Sequence, residues 1–193
     1  MYKTAIVTIS DKGSKGERED ITGKELKKMI DAHENYETVL ETIIPDEEFI
    51  IVNKLKEIAD MEDVDLILTN GGTGFSERDV TPEATLSVIT KEARGIAEYM
   101  RMESMKITKR AMLSRGVCGI RNKTIILNLP GSPKGACENL SFVIDTLVHA
   151  LDILKGNTSE CERKKKKKKG LLQTCKNKIL YRENIFYLYC SLH

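Results

Sequence analysis

The residues best suited to chemistry in this 193-residue sequence are Asn70-Gly71-Gly72-Thr73-Gly74, with three glycines in four positions. Glycine tolerates positive φ and close backbone approach, so successive N–H groups can cup an anion, and Thr73 adds a hydroxyl donor. An ordinary tight turn fits the same residues. No Gly-Lys-Ser/Thr follows, so this is not a Walker loop, and the spacing is not that of a dinucleotide G-x-G-x-x-G. Asp79 closes the segment and Asp46 begins a helix after an earlier strand. If both lie at one sheet edge, the two carboxylates could share a cleft and hold Mg²⁺ against a polyphosphate. Taken singly, Asp46 also suits a helix N-cap, Asp79 a turn, and Arg78 a solvated or salt-bridged position.

Weaker signals lie elsewhere. Ser10-Asp11 ends one strand and Asn128-Leu129-Pro130-Gly131 ends another, which would bring polar groups to the same rim. Ser114-Arg115 adds a hydroxyl and a cation. No Ser/His/Asp or Cys/His set is evident, so covalent catalysis is not expected. Three scattered histidines offer no zinc-like cluster, and Met100, Met102 and Met105 read as core or interface filler.

The elements that must position these residues follow from hydrophobic period. Lys3–Ser10, Tyr36–Ile44 and Val64–Thr69 read as strands, the last buried on both faces. Helices are expected from Asp20 to His33, and after Pro45 with Phe49, Val52, Leu55 and Ile58 at helical spacing. Thr81-Pro82-Glu83 supplies an N-cap, a proline at the first helical position and an acid for a helix to Ala93. Further helical stretches cover Ile96–Lys106 and Lys109–Ser114. Val117–Ile120 and Lys123–Leu129 flank a hairpin at Arg121-Asn122, and Ser132-Pro133 opens a last helix to Lys155-Gly156. Strands alternating with helices predict a three-layer α/β/α sandwich, its sheet mostly parallel with one short antiparallel hairpin. In such sheets ligands sit at the carboxyl ends of the strands, where all the residues above fall.

Composition divides the chain at residue 156. Through Gly156 there are 21 Lys and Arg against 26 Asp and Glu, whereas from Asn157 there are 10 against 3. The domain at 1–156 is thus mildly acidic and carries no nucleic-acid footprint. Residues 157–193 contain six consecutive lysines, Lys164–Lys169, before an Asn/Lys/Ile/Tyr-rich stretch. They read as a solvated, disordered tail or as the translation of an A-rich region, with a targeting or lipid-attracting patch as the other readings. No apolar run is long enough to span a bilayer, and the N-terminus lacks a signal-peptide layout. Five cysteines without a Cys-x-x-Cys pair suit reduced thiols, so a cytoplasmic location is expected.

Taken together, Thr8-Ile9-Ser10-Asp11, Ile44-Pro45-Asp46, Leu66–Gly74, Arg78–Thr85, Met112–Arg115 and Leu129–Pro133 resemble the MogA/MoaB family of molybdopterin adenylyltransferases. The stretch from Met112 to Gly135 is most similar to the gephyrin-type branch. The resemblance implies a molybdopterin-binding fold, usually a homotrimer, in which the terminal phosphate of molybdopterin attacks the α-phosphorus of Mg-ATP. It implies that Asp46 and Asp79 are the catalytic, Mg²⁺-holding pair, and that Gly71, Gly72, Thr73 and Gly74 form the phosphate loop. It also implies that Ser10, Asp11, Ser104, Ser114, Asn128, Pro130 and Gly131 line the substrate pockets. A partner protein that inserts molybdate is a further implication. A trimeric scaffold in which binding survives without catalysis is the alternative; both aspartates, and the lack of a following molybdate-inserting domain in these residues, favour the enzyme. Arg94-Gly95, Ser76-Glu77 and Lys109 depart from the family pattern at loop and rim positions.

Overall fold

The alternation of apolar residues in the strands becomes two separate cores, one on each face of a single sheet. The computed structural model describes residues 1–61 and 63–157. Its elements run β1 (Tyr2–Ile9), α1 (Asp11–Ser14), α2 (Ile21–Asp31), β2 (Tyr36–Ile44), α3 (Glu48–Ala59), β3 (Leu66–Asn70), α4 (Thr81–Val88) and β4 (Lys91–Glu92). They continue with α5 (Arg94–Met105), a 3-10 turn (Lys109–Leu113), β5 (Cys118–Arg121), β6 (Thr124–Leu129) and α6 (Pro133–Lys155). Met1–Asn157 is one compact unit, and the expectation of a disordered tail lies, from residue 158 on, outside the described residues.

The strands are ordered β2-β1-β3-β6-β5-β4. The first four are mutually parallel, while β5 and β4 run antiparallel at one edge. Successive side chains of a strand point to opposite faces. Ile6, Leu66, Leu68, Leu127 and Leu129 therefore join α2, α5 and α6 in one core, while Ala5, Val7, Ile9, Ile67 and Ile126 join α3 and α4 in the other. Leu66, Ile67 and Leu68 have no exposed surface, and burial of each such side chain stabilises the fold by roughly 1.5–3 kcal/mol. The expected three-layer α/β/α sandwich is what forms.

Four details differ from the sequence reading. The helix expected to reach Ala93 stops at Val88, because Thr90 and Ala93 donate their N–H groups to Ile120 and Cys118 of β5, at 2.8 Å each, and Lys91–Glu92 becomes β4. Val80, not Thr81, caps α4; the Thr81 hydroxyl instead donates to the Gly71 carbonyl at 3.0 Å. Asp11–Ser14, between the strand expected to end at Ser10 and the helix expected from Asp20, forms one helical turn capped by the Ser10 hydroxyl. Arg121 pairs with Thr124, so the hairpin turn is Asn122-Lys123, with Asn122 at φ 53° in the left-handed region that asparagine tolerates. Strand order reverses between β1 and β3, and their carboxyl ends open a crevice of the kind in which α/β sheets bind ligands.

Candidate active site

The rim is assembled from the loops that leave β1, β2, β3 and β6. Ser10 follows β1 and accepts the Gly13 N–H at 3.1 Å. The next residue, Asp11, stitches this loop to the one after β2. Its N–H donates to Asp46 Oδ2 at 2.8 Å, and the Asp46 N–H returns a bond to Asp11 Oδ1 at 3.1 Å. Asp46 is thus held by a residue 35 positions away rather than by the helix it precedes; Glu47 occupies the cap position of α3 and makes no side-chain cap bond. Arg78 closes the same corner. Its guanidinium reaches Asp11 Oδ1 at 2.9 Å and Glu47 Oε1 at 2.8 Å, as the salt-bridged reading expected.

These contacts split the acids electrostatically. The Arg78 guanidinium beside Asp11 holds its carboxyl below the usual carboxylate range. Burial pushes Asp46 upward; the Asp11 backbone N–H opposes this, while the negative charges of Asp11 and Asp79 add to it. An ionised Asp46 therefore sits where a further positive charge would be favourable.

The glycine loop lies against both aspartates. Gly71 has φ +101°, and a Cβ there would fall 2.3 Å from the Ile9 carbonyl oxygen. A Cβ on Gly72 would fall 2.2 Å from Thr81 Oγ1 and 3.4 Å from Asp46 Oδ1, and one on Gly74 would fall 2.9 Å from Asp79 Oδ2. Asp46 thus flanks Gly72 and Asp79 flanks Gly74. The turn reading of Asp79 also holds, since its Oδ2 accepts the Ser76 N–H at 2.8 Å. Thr73 is buried between them.

Two clefts open from this centre. One, of about 530 Å³, is lined by Ser10, Asp46, Gly71 and Gly131, together with Arg18, Asp20, Asn70 and Ser132. The other, of about 300 Å³, is lined by Thr73, Gly74, Ser104, Ser114 and Pro130, with Arg101, Asn139 and Ser132. Ser132 is common to both, and both volumes suit small-molecule sites. Of the residues singled out in the sequence, Asp11, Gly72, Asp79 and Asn128 line neither. Asn128 is corrected most: it is 1% exposed, both of its amide N–H groups donate to the Thr69 and Thr85 hydroxyls, at 2.9 Å each, and its Oδ1 accepts the Val117 N–H at 3.2 Å. It locks β6 to its neighbours instead of facing a cleft.

Sequence reasoning did not mark Arg18, Asp20, Arg101, Ser132 or Asn139 as lining residues. Asn70 donates to the Thr8 hydroxyl at 2.8 Å, and Thr8 in turn donates to Asp20, the cap of α2. Ser104 donates to Asn139 Oδ1 at 3.2 Å across α5 and α6. The only sequence signal of Asn139 was polarity within an otherwise apolar helix. Among the described residues no three His, Cys, Asp or Glu side chains group as a metal cage.

Residues 5–150 match the family described as a probable molybdopterin binding domain. The chain belongs to that family. Within it, the molybdopterin adenylyltransferase of Helicobacter pylori strain J99 is 38% identical over 165 residues, covering 82% of this chain and 91% of that protein. The molybdenum cofactor synthesis protein cinnamon of Drosophila melanogaster is 41% identical over 154 residues, covering 80% of this chain; the chain spans only 26% of cinnamon's length. The crystal structure of the molybdopterin biosynthesis enzyme MoaB from Thermus thermophilus superposes with a TM-score of 0.76 at 47% identity, covering 81% of this chain and 98% of that one. The bacterial and insect relatives stand at comparable identity, so the molybdopterin-binding domain as a whole, rather than one branch, is what these identities support.

Proposed function

We propose that this chain is a molybdopterin adenylyltransferase of molybdenum cofactor synthesis, with Asp46 and Asp79 as its catalytic pair. The terminal phosphate oxygen of molybdopterin bonds to the α-phosphorus of ATP, the α–β bridging bond breaks, and pyrophosphate leaves. The observation that carries the assignment is that both carboxylates abut one glycine loop, Asp46 at Gly72 and Asp79 at Gly74. Two phosphate esters repel each other, so the site must neutralise and align them, a task for charge and positioning that needs no nucleophilic side chain.

Mg²⁺ fits the residues present: two hard carboxylate donors beside a phosphate loop, one of them raised in pKa by burial and by neighbouring negative charge. This ion takes one or two carboxylates plus substrate phosphates rather than a full protein cage, and when bound it would neutralise the charge of the polyphosphate. The backbone at Gly71–Gly74 cups phosphate oxygens, Thr73 adds a hydroxyl, and Ser10, Ser104, Ser114, Pro130 and Gly131 shape the two clefts that seat the substrates. Asp11 acts by fixing Asp46 through the paired backbone bonds.

Incubation with ATP, Mg²⁺ and molybdopterin is expected to release pyrophosphate, and Asp46→Ala or Asp79→Ala to abolish release. Wild-type protein that binds molybdopterin yet yields no adenylylated product would return the scaffold alternative. The proposed assembly is a homotrimer in the cytoplasm that passes its product to a molybdate-inserting partner. No helix among the described residues is long and apolar enough to cross a membrane.

A further inference from the structure

The glycine loop is gripped from outside the clefts by one side chain. Arg115 follows the 3-10 turn and immediately succeeds Ser114, which lines the smaller cleft. Its backbone N–H donates to the Thr73 carbonyl at 3.1 Å, and its Nε donates to the Gly74 carbonyl at 2.6 Å. The two terminal nitrogens donate to the Asp79 carbonyl and to the Glu83 carboxylate on α4. One residue thereby holds both ends of the segment between Thr73 and Asp79 and ties it to the following helix.

This grip has a stereochemical consequence. A trans peptide is planar, with its C=O and N–H on opposite sides. Fixing the Thr73 and Gly74 carbonyls toward Arg115 obliges the N–H groups of Gly74 and Phe75 to point away from it. The guanidinium suits the task because its donors form a rigid fork, whereas a lysine has one ammonium on a flexible stem. Each guanidinium nitrogen donates to a protein acceptor and Arg115 lines neither cleft, so its engaged donors serve the loop and the following helix rather than a substrate.

We propose that Arg115 is a positioning residue for adenylyl transfer: it sets the peptide orientation of the glycine loop and the backbone of Asp79, and acts through them without touching substrate. The proposal rests on the adenylyltransferase reading. It also links the clefts, since a substrate seated against Ser114 is one peptide bond from the residue that shapes the phosphate loop.

The test compares wild type, Arg115→Ala and Arg115→Lys by steady-state pyrophosphate release and by amide hydrogen exchange. Arg115→Ala is expected to lower kcat roughly 100-fold, the scale of a small misplacement in a reacting site, with KM for molybdopterin nearly unchanged. Methylguanidinium below denaturing concentration should restore part of the Arg115→Ala rate, and Arg115→Lys should stay well below wild type. Exchange should quicken at Gly74–Asp79 in both variants while β3 stays protected. A folded Arg115→Ala with wild-type kcat, or one that loses kcat with no gain from methylguanidinium, overturns the proposal. If Arg115→Ala does not fold, Arg115→Lys decides, and near-wild-type turnover there is the overturning result. Exchange stands apart from turnover: an inactive wild type defeats the enzymatic reading, whereas unchanged loop protection in the variants defeats this one.

Discussion

Asp46 carries a conflict between stability and use. Its carboxyl is raised by burial, and by the negative charges of Asp11 and Asp79. A carboxyl with a folded-state pKa above its unfolded one gives its full contribution below the unfolded value and loses it as pH rises through the folded value. At neutral pH the ionised side chain is therefore a net cost to the fold. Asp46→Asn keeps an oxygen to accept the Asp11 N–H and removes the charge. We expect this variant to unfold at higher denaturant concentration than wild type at pH 7, by less than about 1 kcal/mol because the group is only half-buried. The gap should vanish below the carboxylate range, and catalysis should fall at least about 100-fold. Melts across pH together with the pyrophosphate assay check both signs; a less stable Asp46→Asn at neutral pH contradicts the electrostatic account.

Among elements, the loop after β3 shows what backbone geometry demands. Gly71 and Gly16 both have positive φ, but a Cβ at Gly71 would strike the Ile9 carbonyl at 2.3 Å whereas one at Gly16 meets nothing within 4 Å. Gly16→Ala should cost about 1–2 kcal/mol from backbone strain alone, and Gly71→Ala clearly more, in equilibrium denaturation. Equal losses would mean that β1 yields to the added methyl. The same contrast explains how much was legible in advance. Strands, helices and the loop itself follow from local period and glycine content, so they were readable. What escaped depended on partners far along the chain. Asp46 looked like a cap because Asp11 lies 35 residues away, and β4 was hidden because only β5 makes Lys91–Glu92 extended. Asn128 was expected at the rim from its place at a strand end, and in the pocket by resemblance, yet two buried hydroxyls and the Val117 N–H, all from other segments, engage its amide. Arg115 was recognised only as a cation, since its acceptors precede it by 32 to 41 positions.

At the scale of the molecule, α5 and the turn after it expose several large apolar side chains. Tyr99, Met102, Met105, Ile107 and Met112 are all exposed, although Met100 of the same stretch lies in the core. Monomers rarely display so many large apolar side chains together, which supports placing the contacts of the proposed trimer here. Met102→Glu should shift sedimentation from trimer toward monomer; a wild type that sediments as a monomer at assay concentrations removes this assignment. The sheet's outer strands bear on the same question from another direction. β4 is only two residues long and both are charged, while β2 at the far edge carries Glu37 and Glu41. Neither margin is a good template for another chain's strand, because a short or charged border discourages edge-to-edge growth. Open-ended sheet extension is thereby discouraged, so the proposed trimer would have to close through helices, and the same borders guard against fibrous aggregation.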